Sequence, residues 1–203
     1  MSHNLEQPSN SSKWLVYFAS GNFWQGGLTG RHHLLKRISA KGYNVLFVNS
    51  LGLASVKAIS KNTLFSRVVA KLKSYCRYLK RSDSFLVFSP ISIPLGVTAL
   101  DKLNSFFLKF QFHVMLRLLG IRKPVLLVSS PKAALLLSSI DYSRLIYMYS
   151  DKFVSYREIH DRDYILHLDS ILKSKSDYIV SNLLKTFEDL SSTEYGSKAK
   201  YIP

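Results

Sequence analysis

The sequence predicts an α/β domain built on a doubly wound parallel sheet, and three observations predict it. Short, continuous apolar runs alternate with stretches of helical period, the pattern of parallel strands buried on both faces. The first run, Trp14 to Ala19, leads through a loop with Gly21, Gly26, Gly27 and Gly30 into a helical pattern that stops at Gly42. A second run, Val45 to Val48, follows. This is a strand, a phosphate-friendly loop, a helix and a strand. Apolar residues make up 47% of the 203-residue chain, enough for the core of one domain.

The elements follow in order. Residues 1–12, rich in Ser, Asn and Gln, read as a disordered tail, so the domain is expected over 13–203. Strands are expected at Trp14–Ala19, Asn44–Asn49, Phe85–Ser89, Val125–Ser129, Leu145–Tyr149, Tyr178–Val180 and Lys200–Ile202. Helices are expected at Thr29–Lys41, Thr63–Lys80, Thr98–Leu119, a short one after Pro131, Val154–Lys175 and Leu183–Ser191. In the third helix Phe106, Phe107, Phe110 and Phe112 are read as buried. About seven parallel strands with helices on both faces make a Rossmann-like fold. Its ligands bind at the carboxyl ends of the strands. That rim gathers Ser20 to Gly30, Asn49 to Gly52, Ser89 to Gly96, Ser129 to Lys132, Ser150 to Phe153, and Ser181 with Asn182.

Charge is distributed unevenly. Residues 1–150 hold 20 Lys and Arg against 4 Asp and Glu, and the remainder holds 8 against 9. A field of this sign favours an anionic partner: nucleic acid, anionic lipid or a phosphorylated substrate. Residues 57–81 carry eight Lys and Arg and no acid around an apolar stripe, a composition suited either to an anionic membrane surface or to a solvated helix face. Nucleic acid is the less favoured partner, because the aromatic residues fall at helical spacing and not on a sheet platform. No long uncharged apolar run and no signal peptide is read in the chain. Cys76 stands alone, which fits a reducing, cytoplasmic setting.

Motif chemistry excludes more than it selects. Gly26 is followed by Gly27 and Leu28, not by the Lys and Ser or Thr of a P-loop. The second strand ends in Asn49 and Ser50, without the acid that binds ribose in dinucleotide folds, so nicotinamide chemistry is not expected. What remains is a glycine loop at a helix start, flanked by Trp24, Arg31 and His32. Gly26 and Gly27 either admit a ligand to the backbone or merely form a tight turn. Arg31 lies in the first helical turn, where a cation is electrostatically disfavoured, and this points to a ligand contact. Asp151, after the fifth strand, is either a base or hydroxyl-binding group or a helix cap. His160, Asp163 and His167 share a helix face, read as solvated in preference to zinc-binding.

These residues resemble the N-terminal domain of GT-B glycosyltransferases, particularly bacterial ones acting on cell-surface polysaccharides. The resemblance rests on Trp24 through Gly30 into Arg31-His32-His33-Leu34, then Gly42-Tyr43-Asn44-Val45-Leu46-Phe47-Val48-Asn49. It rests also on Tyr149-Ser150-Asp151-Lys152-Phe153 and on Ser176-Asp177-Tyr178-Ile179-Val180-Ser181-Asn182, followed by Lys200-Tyr201-Ile202-Pro203. Asp169 stands where the family often has Glu, and Ser176 where it has Ala.

The resemblance implies the acceptor-side half of an enzyme that transfers sugar from a nucleotide-sugar donor to a glycan or lipid-linked acceptor in polysaccharide synthesis. It implies that a C-terminal domain outside these residues binds the donor, that this domain binds no cofactor or metal of its own, and that it is inactive alone. Asp151 and His32 would be catalytic. Trp24, Gly26, Gly27, Arg31, Ser150, Lys152 and Ser181 would bind substrate. The alternative is a non-catalytic Rossmann-like binding domain for an anionic partner such as nucleic acid.

Overall fold

The computed structural model describes residues 13–21, 23, 30–51, 79–82, 85–91, 98–149 and 162–203. The expected tail, the Trp24, Gly26 and Gly27 loop, Cys76, Ser150 to Lys152 and His160 lie outside them, as does most of the basic segment 57–81.

The described residues form one eight-stranded sheet. Its strands are β1 (Lys13–Phe18), β2 (Tyr43–Val48), β3 (Leu79–Ser82), β4 (Phe85–Phe88), β5 (Val125–Val128), β6 (Arg144–Met148), β7 (Tyr178–Ser181) and β8 (Ala199–Tyr201). The spatial order is β3-β4-β2-β1-β5-β6-β7-β8. Seven strands are parallel, as the sequence predicts. β3 is the exception and runs antiparallel to β4, pairing Leu79 with Phe88 and Ser82 with Phe85. The sequence places Leu79 and Lys80 at the end of a helix. Antiparallel pairing with β4 instead makes them a strand, which covers an outer edge of β4 that would be unpaired.

The central strands are apolar throughout because both of their faces are covered. After Lys13, every residue of β1 is buried. Alternation along the strands sends Val16, Phe18, Leu46, Val48, Leu126, Val128, Leu145 and Tyr147 to one face. There they meet α2 (Thr98–Leu118) through Leu108, Phe112 and Met115. They also meet the 3-10 segment Pro131–Ser139, Leu172 of α3 (Arg162–Lys175) and Leu190 of α4 (Leu184–Ser191). Leu15, Tyr17, Val45, Phe47, Val87 and Leu127 point to the other face and pack against Leu35 of α1 (Gly30–Ala40).

Glycine in the left-handed region ends two helices, as expected from sequence. Gly42 has φ +87° and closes α1, with its N–H on Ser39 O at 2.9 Å. Gly120 has φ +63° and ends α2 in a Schellman pattern: Gly120 N–H donates to Arg117 O at 3.1 Å, and Ile121 N–H to Leu116 O at 2.9 Å. Ile121 is buried beside Leu116, the apolar contact that accompanies this motif.

One expectation for α2 is corrected. Phe112 is fully buried, but Phe106, Phe107 and Phe110 are exposed. A 3.6-residue period fixes which residues share a face. Here the stripe through Leu108, Phe112 and Met115 meets the sheet, so Phe106 and Phe110 point away from it.

The order of connections fixes where a ligand can enter. From β1 the chain moves through α1 to β2 and on to β4. It then crosses by α2 to β5, on the opposite flank of β1, and continues outwards to β8. The direction of winding therefore reverses between β1 and β5. Open α/β sheets hold ligands at this crevice, outside the carboxyl ends of the strands.

Candidate functional site at the carboxyl rim

A chain of polar side chains spans the β1/β5 crevice. Arg31, in the first turn of α1, donates from Nη1 to Ser20 Oγ at 2.6 Å, just beyond β1. The hydroxyl of Tyr17, the one tyrosine of β1, lies 3.0 Å from Ser129 Oγ, just beyond β5. Burial raises the Tyr17 pKa, while Ser129 and the Arg31 guanidinium pull it down. The phenol therefore stays protonated at neutral pH, and Arg31 sits close enough to act on it. Ser20, Arg31, Tyr17 and Ser129 thus link the two strands at the point of reversal. Ser130 follows and begins the 3-10 segment. Among the described residues its Oγ is the one buried side-chain polar atom with no hydrogen-bond partner.

The neighbouring rim is tied together by amides. Asn49, where a dinucleotide fold would carry an acid, accepts from the Phe23 N–H at 2.7 Å and donates to Ser89 Oγ at 2.6 Å. It joins the glycine loop to the end of β4. Gln111 of α2 brackets Ile91, accepting from its N–H at 2.8 Å and donating to its carbonyl at 2.7 Å. Both amides are buried: Gln111 spends its polarity on the backbone, and Asn49 divides its own between a backbone N–H and the Ser89 hydroxyl.

His32 lies behind this rim. It is 7% exposed, with its ring centroid 5.1 Å from that of Phe23 and stacked on Phe47 at 5.8 Å. Burial lowers its pKa first, and the nearby His33 and Lys36 lower it further, so the imidazole is neutral at pH 7. Ser181, at the end of β7, is fully buried, and its Oγ lies 3.2 Å from both the N–H and the carbonyl of Leu183. Its hydroxyl thereby holds the turn into α4.

A second polar cluster sits under the end of β6, immediately before Ser150 and Asp151 in sequence. The Tyr147 hydroxyl donates to Asp169 Oδ1 at 2.5 Å, and Lys173 Nζ lies 2.7 Å from Asp169 Oδ2. Lys173 also stands over the Tyr149 ring, 4.1 Å from its centroid. Burial and the Asp169 carboxylate drive the Tyr147 pKa well above its usual value. Burial alone would lower the Lys173 pKa, but the Asp169 contact and the Tyr149 side chain outweigh it and the net shift is upward.

Of the residues singled out from sequence, Arg31 is in the crevice, His32 is in the aromatic layer behind it, and Ser181 is on the rim two strands from β5. Trp24, Gly26, Gly27, Ser150, Asp151 and Lys152 lie outside the described residues. Tyr17, Tyr147 and Lys173 were not anticipated. A tyrosine hydroxyl inside a buried apolar strand was the available signal for the first two. Asp169 and Lys173, four residues apart on a helix, were the signal for the third. Asp163 and His167 are exposed, and no group of three potential metal ligands occurs among the described residues.

Strand order, connections and helical cover together define an α/β Rossmann-like domain. Sucrose-phosphate synthase from Thermosynechococcus elongatus superposes on the chain with a TM-score of 0.60 at 10% sequence identity, over 94% of this chain and 48% of that one. The chain thus spans about half the length of this neighbour, and the likeness is one of fold. No family model and no curated protein matches the sequence.

Proposed function

We propose that the chain is the acceptor-side half of a glycosyltransferase that moves a sugar from a nucleotide-sugar donor to a glycan or lipid-linked acceptor in surface polysaccharide synthesis. The observation that carries the reading is the Ser20, Arg31, Tyr17 and Ser129 chain across the β1/β5 crevice, where this class of sheet binds ligands. The neighbour's fold supports a transferase. In this reading Arg31 neutralises an anionic group of donor or acceptor, and its tie to Ser20 orients the guanidinium before the ligand arrives. Asp151, following β6, binds or deprotonates the acceptor hydroxyl, with Ser150 and Lys152 beside it. Trp24, Gly26 and Gly27, between β1 and α1 in sequence, are assigned to substrate binding. Ser181 completes the rim through the turn it holds.

The neutral, aromatic-packed state of His32 suits a proton acceptor held away from bulk water, or a support for Arg31 next to it in the chain. Donor binding is assigned to a second domain, and residues 13–203 alone are expected to be inactive. The test is transfer of a labelled sugar by the full-length protein. Arg31→Gln should lower kcat/KM by about 100-fold, a loss of roughly 2.7 kcal/mol of transition-state stabilisation. Asp151→Asn should lower kcat at least as far. Transfer undiminished in the Arg31→Gln, Asp151→Asn double variant would sink the site assignment. Salt-sensitive nucleic-acid binding with no transfer would favour the binding-domain alternative.

A further inference from the structure

The outer face of α2 has an unusual composition. Phe106 and Phe110, four residues apart, are 69% and 58% exposed. Phe107 is also exposed beside them, and Leu118 is 76% exposed at the end of the helix. Single exposed apolar residues need no explanation, but a contiguous set marks an interaction surface. His113 and Arg117 follow Phe106 by seven and eleven residues. They therefore continue the same face, because those offsets fall near whole turns. Both are exposed, as are Arg122 and Lys123 just past the helix, and Lys109 flanks the two rings. No Asp or Glu occurs from Asn104 to Ile140. The face thus combines exposed aromatic rings with positive charge of one sign.

We propose that this face of α2 docks on an anionic lipid bilayer, with Phe106 and Phe110 entering the headgroup boundary and Arg117, Arg122 and Lys123 pairing with lipid phosphates. Charge complementarity selects the occupant. A protein partner or a second copy of this chain would have to bring an acidic surface, and this chain carries net charge +15. An anionic membrane offers negative charge and an apolar layer in one plane. The surface is distinct from residues 57–81, and its assignment does not depend on the sugar-transfer reading. If that reading holds, docking has a consequence. α2 follows β4 and begins at the carboxyl rim, so at 1.5 Å per residue Thr98 lies roughly 18 Å along the helix from Phe110. The rim would then stand near the bilayer surface, where a lipid-linked acceptor is presented.

The test is co-sedimentation of the full-length protein with vesicles of phosphatidylglycerol and phosphatidylcholine, against vesicles of phosphatidylcholine alone. The wild type should partition to the anionic vesicles. Raising sodium chloride from about 0.1 M to about 0.5 M should weaken that partitioning, because salt shortens the screening length. Phe106→Ser with Phe110→Ser should reduce partitioning by about tenfold or more without lowering Tm, since both rings are exposed. Arg117→Glu with Arg122→Glu should reduce it independently. Failure of the wild type to partition, or partitioning unchanged in both double variants, overturns the proposal. Concentration-dependent self-association that the phenylalanine variant abolishes, without vesicle binding, overturns it in favour of a second copy.

Discussion

Burial makes His32 a source of pH-dependent stability. Its folded pKa lies below the ordinary 6.5 of an unfolded histidine. Below that value the unfolded chain takes up a proton that the folded chain refuses. The resulting stabilisation is present above pH 6.5 and is lost as pH falls towards the folded pKa. Urea unfolding at pH 7 and pH 5 should show this loss, and His32→Phe, which keeps an aromatic ring against Phe47, should flatten the slope. Lys173 and Tyr147 work at the opposite end of the scale. The raised pKa of Lys173 means that its contribution is complete below about 10.5 and is lost as pH rises through the folded value. Tyr147, also raised, acts in the same direction above about pH 10. Asp169→Asn would strip a largely buried ammonium of its partner. The expected cost is about 2 kcal/mol by equilibrium urea unfolding, below the range for fully buried pairs because both side chains keep some solvent contact. Rank at this scale was only partly legible. Arg31 stood out because it sat where a cation is disfavoured, whereas the hydroxyls it joins became meaningful only when β1 and β5 were neighbours.

At the scale of elements, helix stops are the most legible feature. Gly42 and Gly120 follow helical patterns directly, and both adopt the positive φ that an L side chain resists. A Cβ at Gly120 would meet nothing within 4 Å, so Gly120→Ala tests the backbone term alone. It should cost about 1 kcal/mol in urea unfolding. A loss near zero would mean that the Schellman turn tolerates a side chain there. Element type was less secure where periodicity could not decide. Leu79 and Lys80 close a plausible amphipathic helix in sequence, but pairing with β4 makes Leu79–Ser82 a strand. The orientation of α2 was misread for a related reason. Its sequence offers two apolar stripes, and only the position of the sheet selects the one through Phe112.

At the scale of the molecule, the net charge of +15 should make electrostatic repulsion a measurable term. Adding sodium chloride from about 10 mM to about 200 mM shortens the screening length from roughly 30 Å to below 10 Å. Tm by differential scanning fluorimetry should therefore rise across that range. A falling Tm would indicate that attractive pairs such as Asp169 and Lys173 dominate the overall field. The same charge imbalance, concentrated in residues 1–150, underlies the anionic partners proposed for the crevice and for α2.

The sequence by itself determined the class of fold. Continuous apolar strands require cover on both faces, and helices between parallel strands provide it, so composition and period sufficed. It also determined that neither a P-loop nor a ribose-binding acid is present, because those chemistries demand particular residues at particular positions. Only the tertiary structure decided which strands lie side by side. That arrangement puts Tyr17 against Ser129, brings Asp169 under Tyr147 and turns Phe106 and Phe110 outwards. Each of these depends on contacts between residues far apart in the chain, and local periodicity contains no information on such distances.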